Sequence, residues 1–486
     1  MGSNMGKTAP IFVANNAFMR RLPTWLLSAL FLSCCLSVSA AEGSAQLVVP
    51  VDDLPSAVTG GYRVDFTRNG AFVVSKEGHY LFDGGLAYAS PDWKEWGTQI
   101  RRSDAADSWQ PDPTQKTTKL LIRGTLFDFN RNPRFTFVES AEVIAGGLRF
   151  SYSITPLAKR DIGAFGVALH FPVAETAKAD AVFSPGLGNA AMPEKLDKAT
   201  LYTGTARTAT VFVADEPRVM VAGLGSLGWR LLDYRTWNVN AYWLIGTDYA
   251  LKQPLSRGET ASFSFDVWLG DTAAHRVALG PGRCEVNPYG GIALAAAGAR
   301  ILEGGLAREG EQLKWLHATA RAEPPGADAD ARATGQCDAA GSSNVPVSYE
   351  AKLTPAADNA VVVAYKMRTA GAVDGEYRAK LALVIPISGP PSLASEQSPA
   401  GEEDPAGPGD SKVPPGQRIL DVTCQGGHVL TVEAQDPLSV SQAQVNGTEC
   451  YLVNVPIRKA EGAGATVWVR LRLAQKPASA SGGAGK

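Results

Sequence analysis

The chain contains little histidine, little cysteine and almost no net charge. Its 486 residues include 5 histidines and 6 cysteines, and 46 basic residues nearly balance 48 acidic ones, for a formal charge of −2. Such a balance gives no field to hold a polyphosphate backbone, so nucleic acid is not expected as a partner. The histidines are scattered, which predicts neither a metal site nor a Ser-His-Asp triad, and no motif points to a cofactor.

Sustained helical periodicity is also nearly absent, and the pattern typical of strands replaces it. Apolar and polar residues alternate through runs such as residues 148–154, 261–269 and 466–473. This period of two lines one face of a half-buried sheet. Gly-Gly, Asn-Gly and Asp-Gly pairs separate the runs, as hairpin turns require. The composition therefore predicts an all-β protein.

A short hairpin sequence occurs twice, 220 residues apart. Residues 70–87 read GAFVVSKEGHYLFDGGLA, and residues 290–307 read GGIALAAAGARILEGGLA. Two later landmarks follow in the same order in each half. Residues 150–154 precede the segment ALHFPV at 168–173, and residues 363–367 precede ALVIPI at 382–387. Repetition at a fixed offset predicts a duplicated structural unit, with chance similarity of two glycine-rich hairpins as the alternative.

The predicted fold is two tandem, duplicated antiparallel β-sandwich modules, either separate or merged into one extended sandwich. We place the first module at residues 45–272 and the second at 283–474, with a Gly-Pro-Gly joint at 280–282. Residues 388–417 are rich in Pro, Gly, Glu and Ser and are predicted to form a disordered insertion. The same composition predicts a disordered tail at 475–486.

Residues 1–41 predict a signal peptide whose translation starts at Met19. A positive segment at 19–21 precedes an apolar run at 25–36 and the small residues Val-Ser-Ala at 38–40. The run is too short to span a bilayer, and no later segment is long and apolar enough to anchor the mature chain. We therefore expect export to the periplasm or the extracellular space. Lipid attachment at Cys34 or Cys35 is the alternative.

Four cysteines follow the predicted cleavage site, namely Cys284, Cys337, Cys424 and Cys450. An even number in an exported chain, with no Cys-x-x-Cys pair, favours disulfides over metal binding. Among the three possible connectivities we favour Cys284–Cys337 with Cys424–Cys450. Buried free thiols are the alternative.

Tryptophan is distributed unevenly between the two copies, with seven in the first and two in the second. If both copies share a fold, packing alone does not explain the excess. Planar rings pack on the apolar faces of sugars, and nearby Asp, Asn and Arg can bind hydroxyls. The sequence therefore predicts a polysaccharide or other glycan as the partner, with core packing of the rings as the alternative. The predicted ligand-binding residues are Trp93, Trp96, Trp109, Arg235, Trp237, Asn238, Asn240, Tyr242 and Trp243.

Hydrolysis of a glycosidic bond requires two carboxylates about 5–9.5 Å apart. The candidate catalytic residues are Asp233, Asp128 and Glu95. Asp128 as a turn residue, and Asp233 as the ion-pair partner of Arg235, are the structural alternatives. The sequence thus predicts an exported β-sandwich protein that binds a polysaccharide, and that acts like a glycoside hydrolase if it is an enzyme. A non-catalytic structural or adhesive module of the cell envelope or extracellular matrix is the alternative.

Overall fold

The computed structural model describes, in whole or as backbone, residues 46–48, 56–67, 69–100, 109–111, 119–144, 146–214, 216–248, 254–270, 275–296, 299–308, 313–315, 331–337, 347–369, 379–387, 393–394, 418–424, 427–445, 448–457 and 464–475. All of them belong to one compact unit, residues 43–486. The predicted signal peptide lies outside the described residues. So do the tail beyond Gln475 and most of the predicted insertion.

We call the strands between residues 46 and 269 the first module. These are β1 Gln46–Val48, β2 Ser56–Thr59, β3 Tyr62–Phe66, β4 Phe72–Lys76, β5 His79–Ala89, β6 Trp96–Thr98, β7 Trp109–Pro111, β8 Lys119–Phe127, β9 Pro133–Ile144, β10 Gly147–Pro156, β11 Ala164–Pro172, β12 Asp180–Ser184, β13 Gly188–Ala191, β14 Thr200–Val213, β15 Glu216–Asp233, β16 Ala241–Asp248 and β17 Ala261–Leu269. The described helices are one short turn, α1 Val173–Thr176, and a 3₁₀ turn, Tyr234–Trp237.

One long strand, β15, joins the two layers of the first module. Its carboxyl half pairs with β16, and its amino half pairs with β17, within one hydrogen-bonded sheet of 17 strands. We call the layer of β2, β3, β4, β5, β11 and β16 the front sheet and the layer of β7, β8, β9, β10 and β17 the back sheet. Rings from both sheets meet in one core. Phe72 of the front sheet stacks on Phe150 of the back sheet with ring centroids 4.7 Å apart.

The second module contains the strands between residues 275 and 475. These are β18 His275–Leu279, β19 Gly282–Val286, β20 Ile292–Ala296, β21 Ala299–Arg308, β22 Lys314–Trp315, β23 Ala331–Cys337, β24 Val347–Ala356, β25 Ala360–Thr369, β26 Ala379–Pro386, β27 Leu393–Ala394, β28 Ile419–Cys424, β29 His428–Ala434, β30 Ser439–Val445, β31 Thr448–Pro456 and β32 Gly464–Gln475. They form two sheets around a second apolar core.

Strand order confirms the predicted fold class. The path β3-β4-β5-β11-β16-β15 of the first module corresponds to β19-β20-β21-β26-β31-β30 of the second. Likewise β8-β9-β10-β17 corresponds to β23-β24-β25-β32. The two halves of β15 correspond to two separate strands of the second module. β30 pairs with β31 as β15 pairs with β16, and β29 pairs with β32 as β15 pairs with β17. Residues 280–282, where we predicted the joint, form the hairpin turn between β18 and β19.

The repeated glycines lie where neighbouring strands pack most closely. Gly84 pairs with Leu169, and Gly304 pairs with Leu383, at equivalent positions. A Cβ atom would lie 2.3 Å from the Phe72 ring at Gly84, and 2.7 Å from the Leu383 side chain at Gly304. Both glycines are therefore required by packing, which explains why this part of the hairpin kept its sequence.

The predicted pairing of Cys424 with Cys450 is wrong, because both are buried free thiols. Cys424 lies in the core between the two sheets, whereas Cys450 lies in a separate cluster on the other face of its sheet. Cys284 is also a buried free thiol, so it is not paired with Cys337, whose side chain lies outside the described residues. Burial raises the pKa of the Cys284 and Cys424 thiols to about 12, so both stay protonated near neutral pH.

Candidate functional site

Four of the tryptophans predicted from sequence lie on the outer face of the front sheet, opposite the core, namely Trp93, Trp96, Trp237 and Trp243. Strand alternation sends Leu169 and Tyr242 into the core and turns His170 and Trp243 outward. The register places Asp83, His170, Trp243 and Leu232 in one row across four strands. We call this surface the aromatic face.

Five rings form a continuous chain on the aromatic face. Phe129 stacks on Trp96 with ring centroids 5.4 Å apart, and Trp96 meets the edge of Trp243 at 6.2 Å. Tyr234 stacks on Trp243 at 4.5 Å and contacts Trp237 at 4.9 Å. The two ends are open to solvent, since Phe129 is 43% and Trp237 is 53% exposed. The inner rings are buried or half-buried and hold the array in place.

Two residues of the aromatic face or its edge adopt left-handed backbone conformations. Asp233 caps the 3₁₀ turn that carries Trp237, and Asn238 ends the turn with φ of 62°. Elsewhere on the aromatic face, Trp93 has φ of 57°. A non-glycine residue seldom adopts this conformation, so surrounding contacts must support it. One such contact is the guanidinium of Arg230, which lies 4.7 Å from the centre of the Trp93 ring.

A buried Asp–His pair lies beside the rings. Nδ1 of His170 is 3.1 Å from Oδ1 of Asp83, and the His170 ring meets Trp243 edge-on with centroids 5.6 Å apart. His170 is 1% exposed, whereas the Asp83 side chain is 11% exposed. His170 therefore supports the Trp243 ring, and one edge of the Asp83 carboxylate lies near the surface.

The predicted ligand-binding residues separate into three groups. Trp93, Trp96, Trp237 and Trp243 belong to the aromatic face, and Asn238 and Asn240 are exposed beside Trp237. Tyr242 and Arg235 instead have structural contacts. Tyr242 is fully buried and donates a hydrogen bond to the Pro193 carbonyl, and Arg235 donates to Asp233 and the same carbonyl. The side chain of Trp109 lies outside the described residues.

The three predicted catalytic carboxylates are all bound by arginines. Arg134 lies 2.5 Å from Asp128 and 2.9 Å from Glu95, so it joins these two residues. Arg160 contacts the other oxygen of Glu95 at 2.6 Å. Asp233 is fully buried and pairs with Arg235 at 2.6 Å, as its structural alternative predicted. The structure thus brings Asp128 and Glu95 together, apart from Asp233, and their catalytic role stays a prediction.

Replacing Asp128 tests whether this network is structural. Burial favours a higher pKa for Asp128, but hydrogen bonds from Asn132 and Arg134 outweigh it and hold the pKa below its usual value. A lowered pKa stabilises the fold above the unfolded-state pKa, and this stabilisation is lost as the pH falls. We expect Asp128→Asn to lower the free energy of unfolding at pH 7 by about 1–3 kcal/mol in urea titrations. Unchanged stability of Asp128→Asn, with loss of a catalytic function, would contradict a structural role for this network. The control is Asp161→Asn, which changes an exposed carboxylate and should leave stability unchanged.

The equivalent face of the second module has different residues and is covered. In place of Asp83, His170 and Trp243, the strand register gives Glu303, Val384 and Leu452. Glu303 is fully buried and accepts hydrogen bonds from the backbone N–H groups of Gly186 and Leu187 at 2.7 and 2.8 Å. These two residues belong to the β12–β13 loop of the first module. The Leu187 side chain of this loop packs against the second module's apolar cluster, which includes Val384, Cys450 and Leu452.

No protein-family model matches the chain, and no curated protein matches it. Among solved structures, a galactose mutarotase-related enzyme from Lactobacillus acidophilus is similar to this chain, with 9% sequence identity and a TM-score of 0.30. The match covers 44% of this chain and 97% of the enzyme chain. A putative aldose 1-epimerase from Escherichia coli K12 is also similar, with 9% sequence identity and a TM-score of 0.28. This match covers 44% of this chain and 99% of the epimerase chain. Values this low assign no activity to the chain.

Sequence reasoning missed Asp83, His170 and Arg230. Asp83 and His170 are 87 positions apart and meet only because β5 pairs with β11. One signal was present in the repeat, where Asp83 aligns with Glu303 and so keeps a carboxylate at the same place in both copies. In the part of the chain that the structure describes, no group of residues is placed to hold a metal ion. No described helix is both long and apolar enough to cross a membrane.

Proposed function

We propose that the first module binds a polysaccharide through its aromatic face. The observation that carries the proposal is the chain of five rings, which ends at solvent-exposed Phe129 and Trp237. Exposure of apolar rings to water is unfavourable, and a partner that covers them removes this cost. The C–H faces of sugars are suitable partners. The predicted signal peptide would bring this face to polysaccharides outside the cytoplasm.

Comparison with the second module supports a ligand role for the aromatic face. Both modules use the same strands and the same repeated glycines, so the packing demand beneath the two faces is similar. The second module has Val384 and Leu452 at the positions of His170 and Trp243 and is covered by the chain itself. The aromatic residues are therefore not required by the fold.

The geometry favours binding over hydrolysis. Glycoside hydrolysis uses two carboxylates about 5–9.5 Å apart. Across the described row of the aromatic face, Asp83 is the one carboxylate, and it is paired with His170. Glu95 and Asp128 are held by Arg134 and Arg160. Glycan binding without hydrolysis is accordingly the function proposed.

Truncating Trp237 provides the direct test. We expect purified wild-type protein to be retarded in native gels that contain at least one polysaccharide of a broad panel. Trp237→Ala should weaken the affinity roughly tenfold, since an exposed ring that stacks on a ligand contributes about 1–2 kcal/mol. The control is Ile419→Ala, which removes a 41% exposed side chain from β28 of the second module. Absence of binding to every glycan, or equal loss in both variants, would favour the structural or adhesive alternative.

A further inference from the structure

Arg230 is a cation on the aromatic face. Alternation along β15 sends Leu231 into the core and turns Arg230 outward. The register places it opposite Ile245 of β16 on one side and Thr203 of β14 on the other. Its guanidinium lies 4.7 Å from the centre of the Trp93 ring, which packs against the buried cluster of the aromatic face.

Within the described part of the chain, Arg230 lacks the carboxylate partner that five other arginines of its module have, and it alone of the arginines without one contacts a tryptophan of the aromatic face. Among the residues that the structure describes, no carboxylate lies within salt-bridge distance of Arg230, and its side chain is exposed. Other arginines of the first module contact carboxylates directly, namely Arg63, Arg134, Arg149, Arg160 and Arg235. Those five have structural partners, whereas the charge of Arg230 is open to a ligand.

The surroundings of Arg230 also fit a sugar ligand. Thr203 pairs with Arg230, and Thr205 lies two positions along the same face of β14, where both are exposed. Their hydroxyl groups can donate and accept hydrogen bonds. At the place of Arg230, the second module has Ser439, which the register aligns through Asn454 and Ala382. The cation therefore occurs on the aromatic face and not on the equivalent face of the second module.

We propose that the glycan bound by the aromatic face is anionic, and that Arg230 binds its carboxylate or sulfate group. This inference rests on the proposed function. A guanidinium presents its N–H groups in one plane, which matches the two oxygens of a carboxylate or sulfate. Contact with the Trp93 ring helps to hold the guanidinium in position. Exposed Trp237 and Phe129 would then bind the sugar faces while Arg230 binds the charged group.

Two pairs of polysaccharides that differ only in charge test the inference by affinity electrophoresis. The first pair is polygalacturonate and its fully methyl-esterified form, and the second is dextran sulfate and dextran. We expect the charged member of at least one pair to bind about tenfold more tightly than its neutral partner, as one charge-assisted hydrogen-bonded pair allows. Preference within the first pair identifies a carboxylate, and preference within the second identifies a sulfate.

Variants separate this inference from the proposed function. Arg230→Gln should lower the affinity for the charged member about tenfold and leave the neutral member unchanged. Arg418→Gln, an exposed arginine of the second module, should change neither. If charged and neutral members bind equally and only Trp237→Ala weakens them, the inference is wrong and the proposed function stands. If no glycan binds at all, both are overturned.

Discussion

Raising the pH from 5 to 8 should destabilise the protein substantially through one buried carboxyl group. Glu139 of β9 is fully buried, and its Oε2 accepts a hydrogen bond from Gln99 at 2.8 Å. Burial raises the pKa of Glu139 from 4.5 to about 8, and hydrogen bonds from Gln99 and Tyr152 offset this only in part. The folded protein therefore keeps a proton that the unfolded chain releases above pH 4.5.

The sign follows from proton binding, because the free energy of unfolding falls with pH wherever the folded state binds more protons. Each pH unit well inside the range from 4.5 to about 8 is worth about 1.4 kcal/mol, so the loss between pH 5 and pH 8 is about 3–4 kcal/mol. Glu139→Gln keeps an acceptor for Gln99 and should remove this pH dependence. Urea unfolding at pH 5, 6.5 and 8 measures the difference between wild type and variant.

A control for this experiment lies on the same strand. Glu142 is three residues from Glu139 and points to the opposite face of β9. We expect Glu142→Gln to leave the wild-type pH profile unchanged. Parallel profiles for wild type and Glu139→Gln would show that Glu139 is not the group responsible.

The second large effect is expected at Glu303. Besides the N–H groups of Gly186 and Leu187, its carboxylate contacts Arg300 at 2.9 Å. Glu303→Ala would leave a buried cation without this partner and two buried N–H groups without an acceptor. We expect a loss of about 3–5 kcal/mol in the free energy of unfolding.

Glu303→Gln separates the two contributions, because the amide oxygen still accepts the backbone hydrogen bonds. We expect it to cost less than Glu303→Ala, as measured by chemical denaturation at pH 7. Exposed Glu449→Gln in β31 is a suitable control for surface charge. If Glu303→Ala changed stability by less than about 0.5 kcal/mol, the contact between the β12–β13 loop and the second module would be energetically unimportant.

Much of the fold was predictable because its determinants are local. The alternation in residues 148–154 predicted β10, and the residues of that strand are alternately buried as expected. The repeated Gly84 and Gly304 revealed the duplication because close strand packing excludes any side chain at both. The length of β15 was not predictable, since nothing local shows that one strand pairs with two different sheets.

The candidate site was predictable only in part. Clusters of tryptophan and polar residues predicted Trp93, Trp96, Trp237 and Trp243, yet they did not distinguish exposed Trp237 from fully buried Tyr242. That distinction depends on which face of the sheet is covered, which is a tertiary property. The arginine partners of Glu95 were hidden for the same reason, because Arg134 and Arg160 are 39 and 65 positions away.

The covered face of the second module makes that half unable to exist alone without exposing apolar surface. A fragment of residues 275–475 would present Val384, Leu452 and their apolar neighbours to water, with Glu303 exposed among them. Such a fragment should self-associate. Loss of the second half would in turn uncover Met220 and Trp268 of the first, which pack against Tyr289 of the second. Each half thus depends on the other to cover apolar surface, and the duplication is effectively irreversible.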